Sequence, residues 1–281
     1  MKIITGSSEM QKIAIELIRE GKSIGFVPTM GALHAGHISL VKESKKRNDI
    51  TIASIFVNPA QFAPHEDLAK YPRPIERDQE MLIAAGVDYL FHPEPVEIYP
   101  DGYKTYVTVR ELSDVLEGKT RPGHFTGVAT VVTKLFNIVM PTNTYFGQKD
   151  LQQFLVVKKL IKDLNQPVNL VMMPIIRESD GLALSSRNVY LSPKERKDAL
   201  ALSQSLKLAE KLIKEGGKDA EVIRGEMKKH IEGHGSLKID YIAICDPEGM
   251  STIKIIKDNV AILVAAYDGK TRLIDNVIIK V

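Results

Sequence analysis

Short apolar runs alternate with amphipathic segments along the first 176 residues of this 281-residue chain. The apolar runs have the length and continuity of strands buried on both faces, and the amphipathic segments are long enough for several helical turns. Such βα alternation predicts an α/β fold with a Rossmann-like, doubly wound parallel sheet. We expect strands at 24–28, 50–57, 87–91, 105–109, 144–146 and 168–172, and helices at 8–20, 34–47, 74–85, 125–140 and 150–164.

The first predicted helix opens on Ser8-Glu9-Met10-Gln11, a spacing typical of a capping box. At the other end of the predicted units, Pro28, Asn58 and Gly147 each fall where a strand finishes. Ligands of doubly wound sheets bind at the carboxyl ends of the strands, so we expect the functional residues near these positions.

The pattern changes after residue 176. Two amphipathic helices are predicted there, followed by consecutive short strands without helices between them. This order predicts a smaller α+β domain with an antiparallel sheet. We therefore expect one domain at 1–176 and a second at 177–281, the latter with helices at 193–215 and 220–231 and strands at 239–245, 253–256, 260–267 and 272–280.

Composition narrows the class of protein. Hydrophobic residues make up 44% of the chain, enough for a large core, and the net charge of +3 gives no argument for nucleic-acid binding. Cys245 is the single cysteine, so no disulfide can form within the chain. The N-terminal residues lack the apolar region of a signal peptide. The apolar run at 128–140 is interrupted by Lys134, so it does not reach the length of a membrane span. We expect a cytoplasmic protein that binds neither membrane nor nucleic acid.

Residues 28–37 carry the strongest chemical signal, Pro-Thr-Met-Gly-Ala-Leu-His-Ala-Gly-His, between a predicted strand and a predicted helix. His34 and His37 share one face of the first helical turn, whose N–H groups and positive dipole end attract anions. Gly31 and Gly36 allow close approach to the backbone. This pattern favours a phosphate site. A surface pair of histidines or a metal site is the alternative, although no third ligand follows at the spacing of a zinc helix.

Amide and lysine side chains follow two other predicted strands. Asn58 and Gln61 can bind a polar ligand, or belong to an ordinary Asn-Pro turn. Lys149 can reach a phosphate as a mobile charge, whereas Asp150 serves equally well as a helix cap. Gln153 lies one helical turn beyond Asp150 and is expected on the same side.

Two further groups of polar residues lie on either side of the predicted domain boundary, one at 185–187 and one at 121–124. Ser185, Ser186 and Arg187 offer hydroxyls and a guanidinium fork to a phosphate, or form an exposed loop. Arg121 and His124 precede the helix at 125–140, and His124 is as good a helix cap as an anion ligand.

The chain contains neither a Gly-x-Gly-x-x-Gly fingerprint nor a P-loop, which disfavours dinucleotide oxidoreductases and P-loop kinases.

Taken together, these motifs resemble the pantoate–β-alanine ligase (pantothenate synthetase) family, in that family's order and over the whole chain. The resemblance implies that pantoate attacks ATP to give pantoyl adenylate and pyrophosphate, and that β-alanine then displaces AMP. The His-x-Gly-His turn is shared with other nucleotidylyltransferases, so nucleotidyl transfer to another small acceptor is the alternative activity. An RNA-binding module is disfavoured because charges of both signs are mixed and tryptophan is absent. The matching stretches are 28–37, 56–62, 71–73, 121–127, 146–150 and 177–188.

The resemblance also implies roles for individual residues. Catalysis falls to His34, His37, Lys149 and Arg187, with His37 as the proton donor. Pantoate is assigned to Asn58, Gln61 and Gln153, and β-alanine to Gln61. Mg²⁺ is expected mainly on the ATP phosphates without a dedicated protein metal site, the second domain is expected to close over the active site, and the chain is expected to form a homodimer. ATP binding is assigned to Met30, Gly31, Ala32, Leu33, His34, Ala35, Gly36, His37, Gly147, Gln148, Lys149, Asp150, Ile176, Leu184, Ser185, Ser186 and Arg187.

Overall fold

The computed structural model describes residues 1–64, 66–235 and 237–281. This part of the chain forms two compact units. The first contains Met1–Gly147 and Gln152–Pro174, and the second contains Gln148–Leu151 and Ile175–Val281. The backbone thus groups the short segment after Gly147 with the C-terminal residues, and the division of function between 1–176 and 177–281 stays a prediction.

A parallel sheet forms the centre of the first unit. Its described strands are β1 (Lys2–Ile4), β2 (Ile24–Thr29), β3 (Ile50–Ile55), β4 (Tyr89–Phe91), β5 (Asn143–Gly147) and β6 (Asn169–Met173). They lie in the order β1-β4-β3-β2-β5-β6. The helices are α1 (Ser7–Arg19), α2 (Ala35–Arg47), α3 (Ile75–Ala84), α4 (Pro95–Ile98), α5 (Glu117–Thr120), α6 (His124–Val139) and α7 (Leu151–Asp163).

The apolar runs become central strands because helices cover the sheet. Phe26 and Val27 of β2 and Ile52 and Ala53 of β3 are fully buried, as the unbroken hydrophobic pattern predicted. Helix α2 crosses β2 at Gly25, where a β-carbon would overlap the side chains of Ser44 and Asn48. The missing side chain therefore sets how closely α2 packs on the sheet.

The strand order creates one place where a ligand crevice is expected. From β2 the chain moves outward through β3 and β4, and it then returns to the opposite side of β2 to form β5 and β6. The switch point of this doubly wound sheet therefore lies between the carboxyl ends of β2 and β5. Thr29 ends β2 and Gly147 ends β5, so the motifs at 28–37 and 146–150 leave the sheet from adjacent strands.

Two local predictions for the first unit are wrong. Helix α1 begins at Ser7 with Gly6 as its N-cap, so Ser8 does not cap it. The Ser7 N–H instead bonds the carboxylate of Glu97 at 3.0 Å, and this distant partner replaces a local cap. The segment 105–109 is not a strand, because the Val107 N–H bonds the Thr130 hydroxyl on α6 at 3.0 Å rather than a neighbouring strand.

The second unit contains an antiparallel sheet and helices. Helices α8 (Pro193–Asp198), α9 (Leu200–Lys214) and α10 (Ala220–Glu232) precede β7 (Lys238–Cys245), β8 (Val260–Asp268) and β9 (Thr271–Ile279). The strands pair in that order, and apolar residues of α9, α10 and the sheet share one core. The helix predicted at 193–215 is divided at Ala199.

The strand predicted at 253–256 is also wrong. Ile253 N–H bonds Ile244 of β7, whereas Ile256 N–H bonds Lys218, which precedes α10. The segment thus divides its backbone bonds between two partners and forms only an isolated bridge at Ile255. The predicted fold class is nevertheless confirmed, with a doubly wound parallel sheet followed by a smaller antiparallel one. None of the helices in the described residues is long and apolar enough to cross a bilayer.

Candidate active site

A buried carboxylate shapes the turn that follows β2. Asp78 on α3 is 1% exposed and accepts hydrogen bonds from the backbone N–H groups of Ala32 at 2.7 Å and Leu33 at 2.8 Å. Gly31 and Ala32 both have positive φ, +81° and +51°. The Gly31 N–H bonds the Thr29 hydroxyl at 3.1 Å. These bonds hold a left-handed turn that the backbone would not adopt unaided at Ala32.

The electrostatics of Asp78 reflect its burial. Removal from water raises the pKa of Asp78, and the two N–H bonds from Leu33 and Ala32 partly offset that rise. The carboxylate therefore depends on these two donors. In return, it satisfies two backbone groups that would otherwise be buried without partners.

The turn delivers two imidazoles to the start of α2. His34 is the N-cap: its Nδ1 accepts from the Gly36 N–H at 3.1 Å, and the His37 Nδ1 accepts from the His34 N–H at 3.3 Å. The ring centroids are 4.1 Å apart. A β-carbon at Gly36 would overlap the His34 ring. The sequence prediction that these two histidines lie together is met, in the form of a reciprocal capping box.

These two bonds fix the tautomer of each neutral ring. Since the Nδ1 atoms of His34 and His37 accept backbone N–H bonds, the ring proton of the neutral form lies on Nε2. Each ring therefore presents Nε2–H as a donor near the positive end of α2. This arrangement suits an anionic ligand.

Gln61, in the 3₁₀ turn Pro59–Gln61, is held on several sides. Its side-chain Oε1 accepts from Asn58 Nδ2 at 3.0 Å, and its Nε2 donates to the Met30 sulfur at 3.1 Å. Asn58 is 1% exposed and also bonds the Gly127 carbonyl and the Tyr99 hydroxyl. The polar groups of Asn58 are thus engaged in orienting Gln61 and closing the turn against α6.

The backbone of Gln61 is held by a second set of side chains. His124 Nδ1 donates to the Gln61 carbonyl at 2.8 Å, and His124 Nε2 accepts from Arg121 at 3.1 Å. Arg121 forms a two-bond ion pair with Glu66 at 2.6 and 2.8 Å. In the structure, Arg121 and His124 take part in the hydrogen bonds around Gln61, and their assignment to an anion stays a prediction.

Burial and charge set the protonation of this network. Burial, with the nearby positive charge of Arg121, lowers the pKa of His124 to about 4, so its ring is neutral at neutral pH. Burial alone would raise the pKa of Glu66, but the hydrogen bonds and charge of Arg121 outweigh it and the pKa lies below its ordinary value. Glu66 is therefore an anion paired to Arg121. The neutral ring of His124 lies between Arg121 and Gln61 and bonds both.

In the second unit, the segment at 148–150 forms a 3₁₀ turn. Asn276 on β9 donates from Nδ2 to the carbonyls of both Gln148 and Lys149, each at 2.9 Å. Lys149 Nζ lies 4.0 Å from Asp150. Asp150 precedes the α7 start at Leu151.

Residues 176–188 form a hairpin followed by a 3₁₀ turn. Leu184 N–H bonds the Ile176 carbonyl at 3.0 Å, which brings these two predicted ATP residues together. Arg177 forms two bonds with Asp275 of β9, at 2.6 and 2.9 Å. Ser185 caps the turn Ser186–Tyr190 by accepting from the Arg187 N–H at 3.3 Å.

Several residues of these sites were not predicted from the sequence. Asp78, Asp275 and Asn276 carry central hydrogen bonds, and each binds a segment that is distant in the chain. Gln153, a predicted ligand residue, is half-buried on α7. Its neighbour Gln152 is the structural anchor, bonding the Leu112 and Val115 carbonyls and the Glu117 N–H. The assignment of Gln153 to a ligand stays a prediction.

The described residues contain no group of three or more His, Cys, Asp and Glu side chains placed to hold a metal ion. What the first unit does contain is a doubly wound parallel sheet with paired imidazoles beyond its switch-point strand. That combination defines a Rossmann-like α/β protein whose paired imidazoles are suited to an anionic ligand.

Comparison with known proteins identifies the family within this class. The model of the family described as pantoate-beta-alanine ligase matches residues 2–278. The chain belongs to that family.

Individual relatives match over nearly the full length. The pantothenate synthetases of Thermosipho africanus and Thermotoga petrophila are 56% and 53% identical, with 99% of this chain and 100% of each relative covered. A crystal structure of pantothenate synthetase from Thermus thermophilus is 44% identical, with a TM-score of 0.94 and 99% of both chains covered. The Francisella tularensis ligase, 38% identical with a TM-score of 0.81, covers 99% of this chain and 97% of its own. That structure is described as complexed with beta-gamma ATP and beta-alanine.

Substitution of Asp78 tests whether its two hydrogen bonds hold the turn after β2. In Asp78→Asn one of the two backbone N–H groups loses its acceptor, because the new amide nitrogen is a donor. We expect the free energy of unfolding in urea to fall by about 1–3 kcal/mol. Asp49 is the matched control: it also accepts from a backbone N–H, that of Ser23, but it is exposed and water can replace it. Equal losses of unfolding free energy in Asp78→Asn and Asp49→Asn would show that the bonds to Asp78 do not hold the turn.

Buried neutral His124 gives the protein a pH dependence of known sign. Its pKa is about 4 when folded and 6.5 ordinarily, so between these values only the unfolded chain takes up the proton. Stability should therefore fall as the pH drops from 6.5 towards 4, with no further loss from this group below 4. Asn keeps a donor for the Gln61 carbonyl but does not titrate. Between pH 7 and pH 5 the parent chain should lose about 2 kcal/mol more than His124→Asn in urea unfolding. Parallel losses in both proteins would show that His124 is not the titrating group.

Proposed function

We propose that this chain catalyses the ATP-dependent condensation of pantoate with β-alanine to give pantothenate, AMP and pyrophosphate. In the first step the pantoate carboxylate forms a bond to the α-phosphorus of ATP, and the bond to pyrophosphate breaks. In the second, the amine of β-alanine attacks the carbonyl of pantoyl adenylate, and AMP leaves. The observation that carries the proposal is the family match over residues 2–278.

The histidine pair supplies the chemistry that the first step needs. Negative charge builds up on the departing pyrophosphate, and fixed donors aimed at that charge lower the barrier. We assign this role to the Nε2–H groups of His34 and His37, with His37 as the proton donor. Support comes from the backbone bonds to both Nδ1 atoms, which orient the rings before any ligand arrives. The same reasoning assigns the backbone of Met30–Gly36 to the nucleotide.

Gln61 is assigned to pantoate, and also to β-alanine. Its side chain is oriented by Asn58 and Met30, and its backbone by His124. A side chain held in this way loses little conformational entropy on binding a ligand. We assign Asn58 to positioning Gln61, because its amide already bonds Gln61 and the Gly127 carbonyl. Gln153 is proposed as the second pantoate ligand.

Lys149 and Arg187 are assigned to the ATP phosphates. Their chemistry supports this: an ammonium is a mobile positive charge, and a guanidinium donates paired bonds to phosphate oxygens. The ATP assignment also includes neighbours of these two residues. They are Gly147, Gln148 and Asp150 beside Lys149, and Ile176 and Leu184–Ser186 before Arg187. The Ile176–Leu184 bond and the Ser185 cap support a preformed backbone at 176–187.

Three further features belong to the same proposal. Mg²⁺ is proposed to enter mainly on the ATP phosphates, because Mg²⁺ keeps several waters and is commonly held through substrate phosphates. A homodimer and a cytoplasmic location are proposed from the family resemblance and from the single cysteine.

The reaction itself is tested with purified protein, ATP, Mg²⁺ and pantoate, with and without β-alanine. Free AMP and pantothenate should form continuously only when β-alanine is present, and pyrophosphate should match pantothenate in amount. A nucleotidylyltransferase that stops at the first step would release pyrophosphate at the same rate in both mixtures. That outcome would contradict the ligase assignment.

Removal of the imidazole or the ammonium donor should slow the first step. In His37→Ala or Lys149→Ala the rate of pyrophosphate release should fall by about 10²–10³, equivalent to about 2.7–4 kcal/mol, because one transition-state donor is lost. His230→Ala and Lys159→Ala are matched controls, since these residues lie on α10 and α7 and bond Gln204 and Asp163. Near-normal adenylation by the His37 and Lys149 variants, with unchanged circular dichroism, would overturn the two assignments.

A further inference from the structure

Two adjacent residues of β9 hold the two backbone segments of the second unit that are assigned to ATP. Asp275 and Asn276 are 4% and 2% exposed. Successive residues of a strand face opposite sides, so the two side chains leave β9 in opposite directions. Neither residue belongs to the motifs that predicted nucleotide binding.

Asn276 fixes the backbone around Lys149. Its Nδ2 donates to the carbonyls of Gln148 and Lys149 at 2.9 Å each, and its Oδ1 accepts from Gln148 Nε2 at 3.2 Å. The amide nitrogen thus bonds two successive peptide carbonyls, and the amide oxygen bonds the side chain of Gln148. Because the carbonyl of Lys149 is held directly, the starting point of the lysine side chain is fixed relative to β9.

Asp275 fixes the hairpin that leads to Arg187. Its carboxylate receives two bonds from Arg177, and Arg177 in turn donates to the Gly181 carbonyl at 3.1 Å. Arg177 also pairs with Ala183 across the hairpin. Two bonds to a buried carboxylate define both the position and the orientation of the half-buried guanidinium.

We propose that Asp275 and Asn276 are positioning residues for ATP, with Asn276 acting through Lys149 and Asp275 through the Arg177 hairpin. This rests on the proposed function for the identity of the nucleotide. Neither side chain is assigned a contact with ATP. Their effect comes from placing two phosphate-binding segments before the nucleotide arrives, which lowers the ordering cost of binding.

Asn276→Asp is the sharpest test because it changes shape least. The introduced carboxylate can still accept from Gln148, but it faces two carbonyl oxygens without a donor. We expect the dissociation constant of ATP, measured by titration calorimetry with the full chain, to rise about tenfold or more. The KM for pantoate should change less than about twofold.

The pH dependence distinguishes positioning from general damage. When protonated, the introduced carboxyl group can again donate one bond to a carbonyl. The ATP affinity of Asn276→Asp should therefore recover towards that of the parent chain, compared at equal pH, between about pH 8 and about pH 5.5. Should Asn276→Asp fail to fold, Asn276→Ser replaces it, because its hydroxyl supplies a single donor and a weaker defect is expected.

Asp240→Asn provides the matched control on the same sheet. Asp240 is paired to Arg272 of β9, and both side chains are largely buried. Its loss should lower thermal stability without weakening ATP binding. A rise in the ATP dissociation constant equal to that of Asn276→Asp would reduce the effect to sheet stability and overturn the proposal.

The Lys149→Ala background separates this inference from the proposed function. If Asn276 acts through Lys149, Asn276→Asp should weaken ATP binding less than about twofold further in that background. Full tenfold weakening there would overturn the route through Lys149. If Asn276→Asp alone binds ATP as the parent does, the positioning role is wrong. ATP binding with the expected coupling but no pantothenate formation would instead contradict only the ligase assignment.

Discussion

One buried carboxylate determines the geometry on which the imidazole site depends. Asp78 accepts the N–H groups of Ala32 and Leu33, and this pair of bonds sustains positive φ at Ala32. The turn then places His34 where it can cap α2, and the cap in turn orients His37. The order of dependence runs from α3 to the turn, from the turn to the helix start, and from there to the two rings. A carboxylate on a separate helix thus sets the direction of both imidazoles.

The same design recurs around two of the candidate ligand residues, Gln61 and Lys149. Gln61 is reached through Asn58 and His124, and Lys149 through Asn276. In each case a buried amide or imidazole supplies hydrogen bonds to a backbone or side-chain group of the candidate ligand residue. Buried polar groups are stable only when they are hydrogen-bonded, and a fully hydrogen-bonded network is rigid. The polar groups around the site therefore also make it rigid.

The sequence was a good guide where structure follows from local pattern. The βα alternation, the antiparallel C-terminal sheet and the proximity of His34 to His37 follow from patterns that extend over short stretches of the chain. Where partners are distant, the local pattern fails: Glu97 supplies what Ser8 was expected to supply, and segment 105–109 bonds α6 instead of joining a sheet. Asp78 is 46 residues from Ala32, and Asn276 is 127 from Lys149. No periodicity in a single sequence reports such pairings.

The two nitrogens of each histidine divide the demands on the ring between folding and ligand binding. At His34 the Nδ1 atom is committed to the helix start, a task that the side chains of Asn, Asp or Ser also perform. Only the opposite edge of the ring requires imidazole. In the proposed reaction, a change to one of those residues would preserve the helix cap while removing a donor to the departing phosphates. Under the proposed function, the requirement for histidine at position 34 comes from the chemistry of the first step and not from the stability of the fold.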